Sequence, residues 1–251
     1  MDVALGMQGL RKRFGDKVAV EHVDLAVPAG SFYGLVGPNG AGKTTTLSMA
    51  TGLLRPDAGR VDVLGVDLWA DPITAKSLLG VLPDGVRLFD RLTGLQLVVH
   101  AGMLQRLPRA TAVERAQSLL RALDLEQDAD TLVADYSAGM TKKIALACAL
   151  VHGPRLLVLD EPFEAVDPVS AASIRGILAE YVATDGTVIV SSHVMDLVER
   201  MCDHVAVLAA GRVLAAGTVD EVCAGMSLED RFVELVGGRR TGEGLEWLHR
   251  S

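Results

Sequence analysis

The sequence is poor in the features that would each have set its class. Only three of its 251 residues are cysteine (Cys148, Cys202 and Cys223), isolated and odd in number. That excludes a disulfide framework and a zinc site, which need paired spacing, and leaves small buried hydrophobes as the reading. Aromatics make up 4% of the chain, too few for the stacking platforms that hold single-stranded nucleic acid. Lys and Arg number 24 against 32 Asp and Glu, a formal net charge of −8. A general basic face for nucleic acid is thereby excluded, and no nucleic-acid partner is expected. No apolar run approaches the roughly 20 residues that span a bilayer. The N-terminal stretch MDVALGMQGLRKRFG lacks an apolar segment of signal-peptide length after a basic start. Internal repeats, low-complexity tracts and sustained heptads are missing too. The expectation is a mature cytosolic protein. Its 49% apolar content supports a sizeable core in one large domain, or in one domain with a lobe.

What is present starts with alternation. Short β-like runs at 18–20 and 23–27 precede a break at Pro28-Ala29-Gly30, and 32–36 reads as a short buried strand ending at a glycine loop. The pattern predicts a helix over about 43–53, a turn at 55–59 and a strand over 60–64. From about 84 to 151 strand signals are scarce, and helical periodicity marks 95–107 and 112–123. A helical lobe inserted into an α/β core is expected. The core resumes at 156–159, then a helix near 169–183, a strand over 187–191, a helix near 194–201 and two short strands around Gly211. Continuous apolar strands between helices imply a parallel sheet covered on both faces. Leu228, Phe232 and Leu235 form one apolar helical stripe, and 237–251 reads as a flexible linker and tail.

Two stretches carry strong chemistry. Gly37-Pro38-Asn39-Gly40-Ala41-Gly42-Lys43-Thr44 fits the phosphate loop G-x-x-x-x-G-K-[ST], after a strand and before a helix. Its glycines let backbone N–H groups converge on an anion, and the helix end adds partial positive charge. Lys43 neutralises β- and γ-phosphates, and Thr44 offers a hydroxyl to Mg²⁺. Leu156-Leu157-Val158-Leu159 then ends in Asp160 and Glu161, at the edge where such sheets bind ligands. Two adjacent acids in a dry cleft call for a counter-cation: Asp160 for Mg²⁺, with Glu161 as general base on the attacking water. The strand over 187–191 delivers His193 to the same edge, within reach of a γ-phosphate.

A third stretch, Tyr136-Ser137-Ala138-Gly139-Met140, opens another helical run. Ser137 suits a helix cap and Gly139 a close backbone approach to an anion. Lys142 and Lys143 fall in the second turn, where a positive helix end disfavours them unless an anion is near.

Together these motifs resemble the nucleotide-binding subunit of an ATP-binding cassette (ABC) transporter, over about residues 3–236. The third stretch makes the resemblance specific, because it sits at the family's LSGGQ signature: Ser137 and Gly139 match, while Tyr136, Ala138 and Met140 depart in a way familiar among exporter-like members. The resemblance implies a phosphate-loop NTPase (RecA-like) α/β core over about 1–83 and 152–220, with a small antiparallel β subdomain and an inserted helical subdomain over about 84–151. It implies MgATP as ligand. Phe14 resembles the aromatic that stacks on adenine, Thr45 joins the phosphate contacts, Asp167 is the acid of the loop reaching the partner subunit, and His193 is the γ-phosphate sensor. At Asp84 the family usually has Gln; Asp84 keeps an oxygen for Mg²⁺ or water and adds a negative charge. The implied partners are a second ABC ATPase subunit, in a homodimer or heterodimer, and integral membrane permease subunits docked on the helical lobe. In such dimers the signature of one subunit closes over the ATP held by the phosphate loop of the other. The implied place is the inner face of the cell membrane, and the signature, the Asp84 segment and residues 227–232 resemble drug and lipid exporters. The competing readings are a soluble ABC ATPase of translation or DNA repair, and a small-molecule kinase. Only one phosphate loop and no coiled-coil insertion speak against the former, and the signature, Asp167 and His193 together speak against the latter.

Overall fold

A computed structural model describes residues 2–237; the predicted linker and tail beyond Gly237 lie outside the described residues. A hairpin of two twelve-residue strands, β1 (Val3–Phe14) and β2 (Lys17–Pro28), leads into β3 (Phe32–Val36), the phosphate loop and α1 (Lys43–Ala50). Next come β4 (Ala58–Val63), β5 (Val66–Asp67), α2 (Pro72–Ser77) and β6 (Leu79–Leu82). Three helices follow: α3 (Gly94–Leu104), α4 (Arg109–Ala122) and α5 (Ala138–Leu150). The chain then alternates through β7 (Leu156–Leu159), α6 (Pro168–Ala183), β8 (Thr187–Ser192), α7 (Met195–Met201) and β9 (His204–Ala209). It closes with β10 (Arg212–Thr218), α8 (Val219–Cys223) and α9 (Leu228–Leu235).

The strands form one curled sheet in the order β5-β4-β1-β2-β10-β9-β3-β8-β7-β6. Strands β9, β3, β8, β7 and β6 run parallel, whereas β1, β2, β4 and β5 pair antiparallel. A single residue pair, Arg212 with His22, joins β10 to β2 and so links the two parts. Every residue of β3, β7 and β8 is buried, as expected of strands covered on both faces. One face packs on α1 and the antiparallel strands, the other on α3 to α7. The predicted α/β architecture, with its antiparallel β part and inserted helices, is thus present.

Three of the differences from expectation have a clear physical cause. The β-like runs at the start are two long strands, because β1 passes through register shifts near Gly9 (φ 58°) that break its alternation without ending it. Helix α1 stops at Ala50, three residues short of the predicted end, where Thr51 closes the helix and Gly52 turns left-handed (φ 70°). Strand β6 was not expected. Its Gly80 lets it lie against α5, since a Cβ there would overlap the Ala149 carbonyl, and a glycine in a four-residue run dilutes the strand signal.

Candidate nucleotide site

The phosphate loop leaves the buried end of β3. Gly42, at φ 106°, is the N-cap of α1, and no side chain among the described residues caps that helix. Its first N–H groups are left for a ligand. Gly37 and Gly42 also solve a packing problem: a Cβ on Gly37 would overlap the Leu208 carbonyl of β9, and one on Gly42 would sit 2.7 Å from the Ala19 carbonyl of β2. Lys43 is buried, and its Nζ donates to the Gly37 carbonyl at 2.7 Å.

Asp160 and Glu161 follow β7 and are both buried. The two acids look in different directions. Ser191, fully buried at the end of β8, donates its hydroxyl to Asp160 Oδ1 at 2.5 Å and accepts the Glu161 N–H at 2.9 Å. The Glu161 carboxylate instead lies between two cations or potential cations, with Oε1 3.4 Å from Lys43 Nζ and Oε2 3.1 Å from His193 Nδ1. The expected counter-cation for the acid pair is therefore supplied in part by the protein, through Lys43. Glu161 adopts a left-handed backbone (φ 47°), rare for a residue with a side chain.

A cleft of about 370 Å³ collects these groups. Its walls include Pro38, Asn39, Gly40, Gly42, Lys43, Thr44 and Thr45 from the loop and α1. Asp84, Glu161 and His193 face them, so most of the predicted nucleotide set is assembled. Lys17, Ala19 and Glu164 also line it, and were not foreseen. Among the described residues the lining does not include Gly37, Ala41, Asp160 or Phe14. Ala41 is buried under the loop, and Asp160 is buried behind it beside Ser48 and Thr51. Phe14 is half exposed at the end of β1, with Lys12 Nζ 5.8 Å from its ring centre. The hairpin turn that follows Phe14 carries Lys17 to the cleft wall.

The signature stretch lies elsewhere. Ser137 caps α5, accepting the Met140 N–H at 3.2 Å, as its sequence position predicts. Ser137 and Ala138 are exposed, while Gly139 is buried: a Cβ there would fall 2.6 Å from Ser170 Oγ and 2.7 Å from Asp167 Oδ2. Asp167 in turn caps α6, accepting from the N–H groups of Ser170 and Val169, and the Ser170 N–H leads in holding its carboxyl below the usual range. Tyr136 packs over Gly94, where a Cβ would overlap its hydroxyl, and donates to the Asp128 carbonyl at 2.8 Å. Ser137, Gly139 and Asp167 are outside the cleft lining of their own chain. The two lysines of α5 find partners within the chain, and only that of Lys143 is an anion. Lys142 Nζ donates to the Glu161 carbonyl at 3.0 Å, and Lys143 Nζ lies 3.7 Å from Asp124 Oδ2.

A phosphate loop opening a helix, next to a buried strand ending in two acids, defines a phosphate-loop nucleoside triphosphatase. Comparison with known proteins narrows this. The model of the ABC transporter family matches residues 20–164. The daunorubicin resistance ATP-binding protein DrrA3 of Streptomyces coeruleorubidus is 37% identical over 221 residues, 88% of this chain and 70% of that protein. The Nod factor export ATP-binding protein I of Rhizobium sp. (strain N33) is 38% identical over 216 residues, 86% of this chain and 71% of that protein. A solved structure of the ATP-binding subunit of an ABC transporter superposes with a TM-score of 0.86 at 31% identity, covering 93% of this chain and 99% of that one. The chain belongs to the ABC transporter family, as an ATP-binding subunit whose hydrolysis of ATP is coupled to transport.

Proposed function

We propose that the chain drives export, binding MgATP between its own phosphate loop and the signature of a partner ATPase subunit. The observation that carries the composite site is the split just described: Lys43, Glu161 and His193 meet in one cleft, and Ser137 and Gly139 present a second helix end away from it. Export draws support from relatives whose names specify drug resistance and Nod factor export, which also favour transport over translation or repair.

In this reading the triphosphate lies along the uncapped end of α1, with Pro38 to Thr45 around it and Lys43 released from Gly37 to the β- and γ-phosphates. Phe14 stacks on the adenine. The oxygens of Thr44, Asp160 and Asp84 suit Mg²⁺, a hard cation that favours one or two carboxylates plus substrate phosphates. Mg²⁺ would neutralise charge on the phosphate oxygens. Glu161 takes the proton of a water as its oxygen bonds to the γ-phosphorus, and the bond to the ADP oxygen breaks. His193, beside Glu161 Oε2, orients that carboxylate and senses the γ-phosphate. Ser137, Gly139 and Asp167 reach across to the partner's nucleotide.

Transport in this reading runs through permease subunits, with the chain on the inner membrane face; no helix among the described residues is long and apolar enough to cross a membrane. The inserted helices, over about 84–151, are the docking lobe. A groove of about 600 Å³ there is lined by Phe89, Leu92, Val99 and Met103, with Phe89 65% exposed. Within 95–99, Leu97 and Val98 are buried in the core, whereas Gln96 and Val99 line the groove. Replacing Ser137 by Ala should abolish hydrolysis while ATP binding to the monomer stays nearly intact. Hydrolysis that survives the change would contradict the composite site.

A further inference from the structure

We infer that Lys142 is a positioning residue for Glu161, and that through it the signature helix of a chain aims that same chain's general base. The inference rests on Glu161 being the base and on the composite site. A left-handed backbone at a residue with a side chain persists only where the surroundings over-determine it. At Glu161 (φ 47°) both backbone groups are held: the N–H by Ser191 Oγ at 2.9 Å, the carbonyl by Lys142 Nζ at 3.0 Å and, at 3.3 Å, by the Glu164 N–H of its own loop. The carboxylate is held between Lys43 and His193, at 3.4 and 3.1 Å. Ser191, Lys43 and His193 all belong to the half-site of Glu161. Lys142 alone comes from α5, whose first residues follow the Ser137 cap.

Lys142 lies in the second turn of α5, where the pull of the helix dipole has largely faded, so its contact with Glu161 is not dictated by the helix end. Its partner is a main-chain carbonyl, so a side-chain cation here fixes the backbone of Glu161 without competing for its carboxylate. In a dimer, the N-terminus of α5 belongs to one composite site and Glu161 to the other. Lys142 therefore spans the two. When the partner's nucleotide engages Ser137 and Gly139, movement of α5 passes through Lys142 to the Glu161 carbonyl and re-aims the carboxylate, linking occupancy of one site to reaction at the other.

Steady-state MgATP hydrolysis by Lys142→Met and Lys142→Arg, with ATP binding and thermal denaturation measured on each, tests this. Lys142→Met should lower kcat by about tenfold to a hundredfold, as a misaimed base does, while Lys142→Arg, still a donor to a carbonyl, stays within about threefold. In Lys142→Met the ATP affinity of the monomer should be unchanged and the Hill coefficient for ATP should fall. Wild-type kcat and Hill coefficient in Lys142→Met would overturn the inference. So would a loss that Lys142→Arg does not rescue, or one accompanied by lost ATP affinity and a lower melting temperature, the pattern of a merely structural contact. Glu161→Gln separates the two readings. If it hydrolyses ATP normally the base assignment fails, whereas an inactive Glu161→Gln beside a fully active Lys142→Met removes the role of Lys142 alone.

Discussion

The N-termini of α1 and α5 are both helix ends suited to an anion, and they are finished differently. At α1 the cap is a left-handed glycine, no side chain among the described residues takes the free N–H groups, and Lys43, Glu161 and His193 close round the cleft. At α5 Ser137 has already taken the Met140 N–H, the two lysines are committed to Glu161 and Asp124, and the exposed residues Ser137 and Ala138 lead the helix. The first end holds the chemistry of a reaction; the second is a braced edge with little reactive equipment of its own. In the proposed reading a chain that carries both has half a site at each end, and the asymmetry of the two ends is what argues for a partner.

The largest effect should come from the reactive end. Glu161→Gln keeps the shape and removes the proton acceptor, so kcat should fall by about 10² to 10⁴ with ATP binding retained, measured as phosphate release. Unchanged turnover would erase the contrast between the ends. A smaller effect tests the bracing of the signature. Alanine usually stabilises a helix relative to glycine, but Gly94 lies under the Tyr136 hydroxyl. Gly94→Ala should therefore destabilise the fold by about 1 to 3 kcal/mol in urea unfolding. Tyr136→Ala in the same chain should recover part of that loss, because it removes the overlapping ring; additive losses would show that the two residues are not coupled. The smallest effect belongs to the exposed carboxylate on the cleft wall. Asp84→Gln should make hydrolysis less dependent on Mg²⁺, with a shift in half-saturation below about fivefold, as expected when one exposed charge is worth at most about 1 kcal/mol. An identical Mg²⁺ titration would remove Asp84 from the metal site.

The legible parts of the molecule were those whose signal is local. β7 and β8 are unbroken apolar runs, and the phosphate loop, the acid pair and the Ser137 cap are short motifs read within a few residues. What stayed hidden depends on distant neighbours. Ser191 meets Asp160 across 31 residues, and Lys142 meets Glu161 across 19. Ser191-Ser192 directly before His193 was the available hint, but only the parallel pairing of β7 with β8 turns that serine toward the acids. Gly80 is similar: its role is the approach of α5, which no window around β6 contains.

The central claim is that the α5 end of one chain completes the α1 end of another. Light scattering on Glu161→Gln with and without saturating MgATP addresses it directly, together with the same variant carrying Ser137→Arg. The account predicts a nucleotide-dependent dimer for Glu161→Gln that reverts to monomer when Ser137→Arg is added, with ATP still bound. A Glu161→Gln chain that stays monomeric in MgATP, or a dimer indifferent to Ser137→Arg, would contradict it.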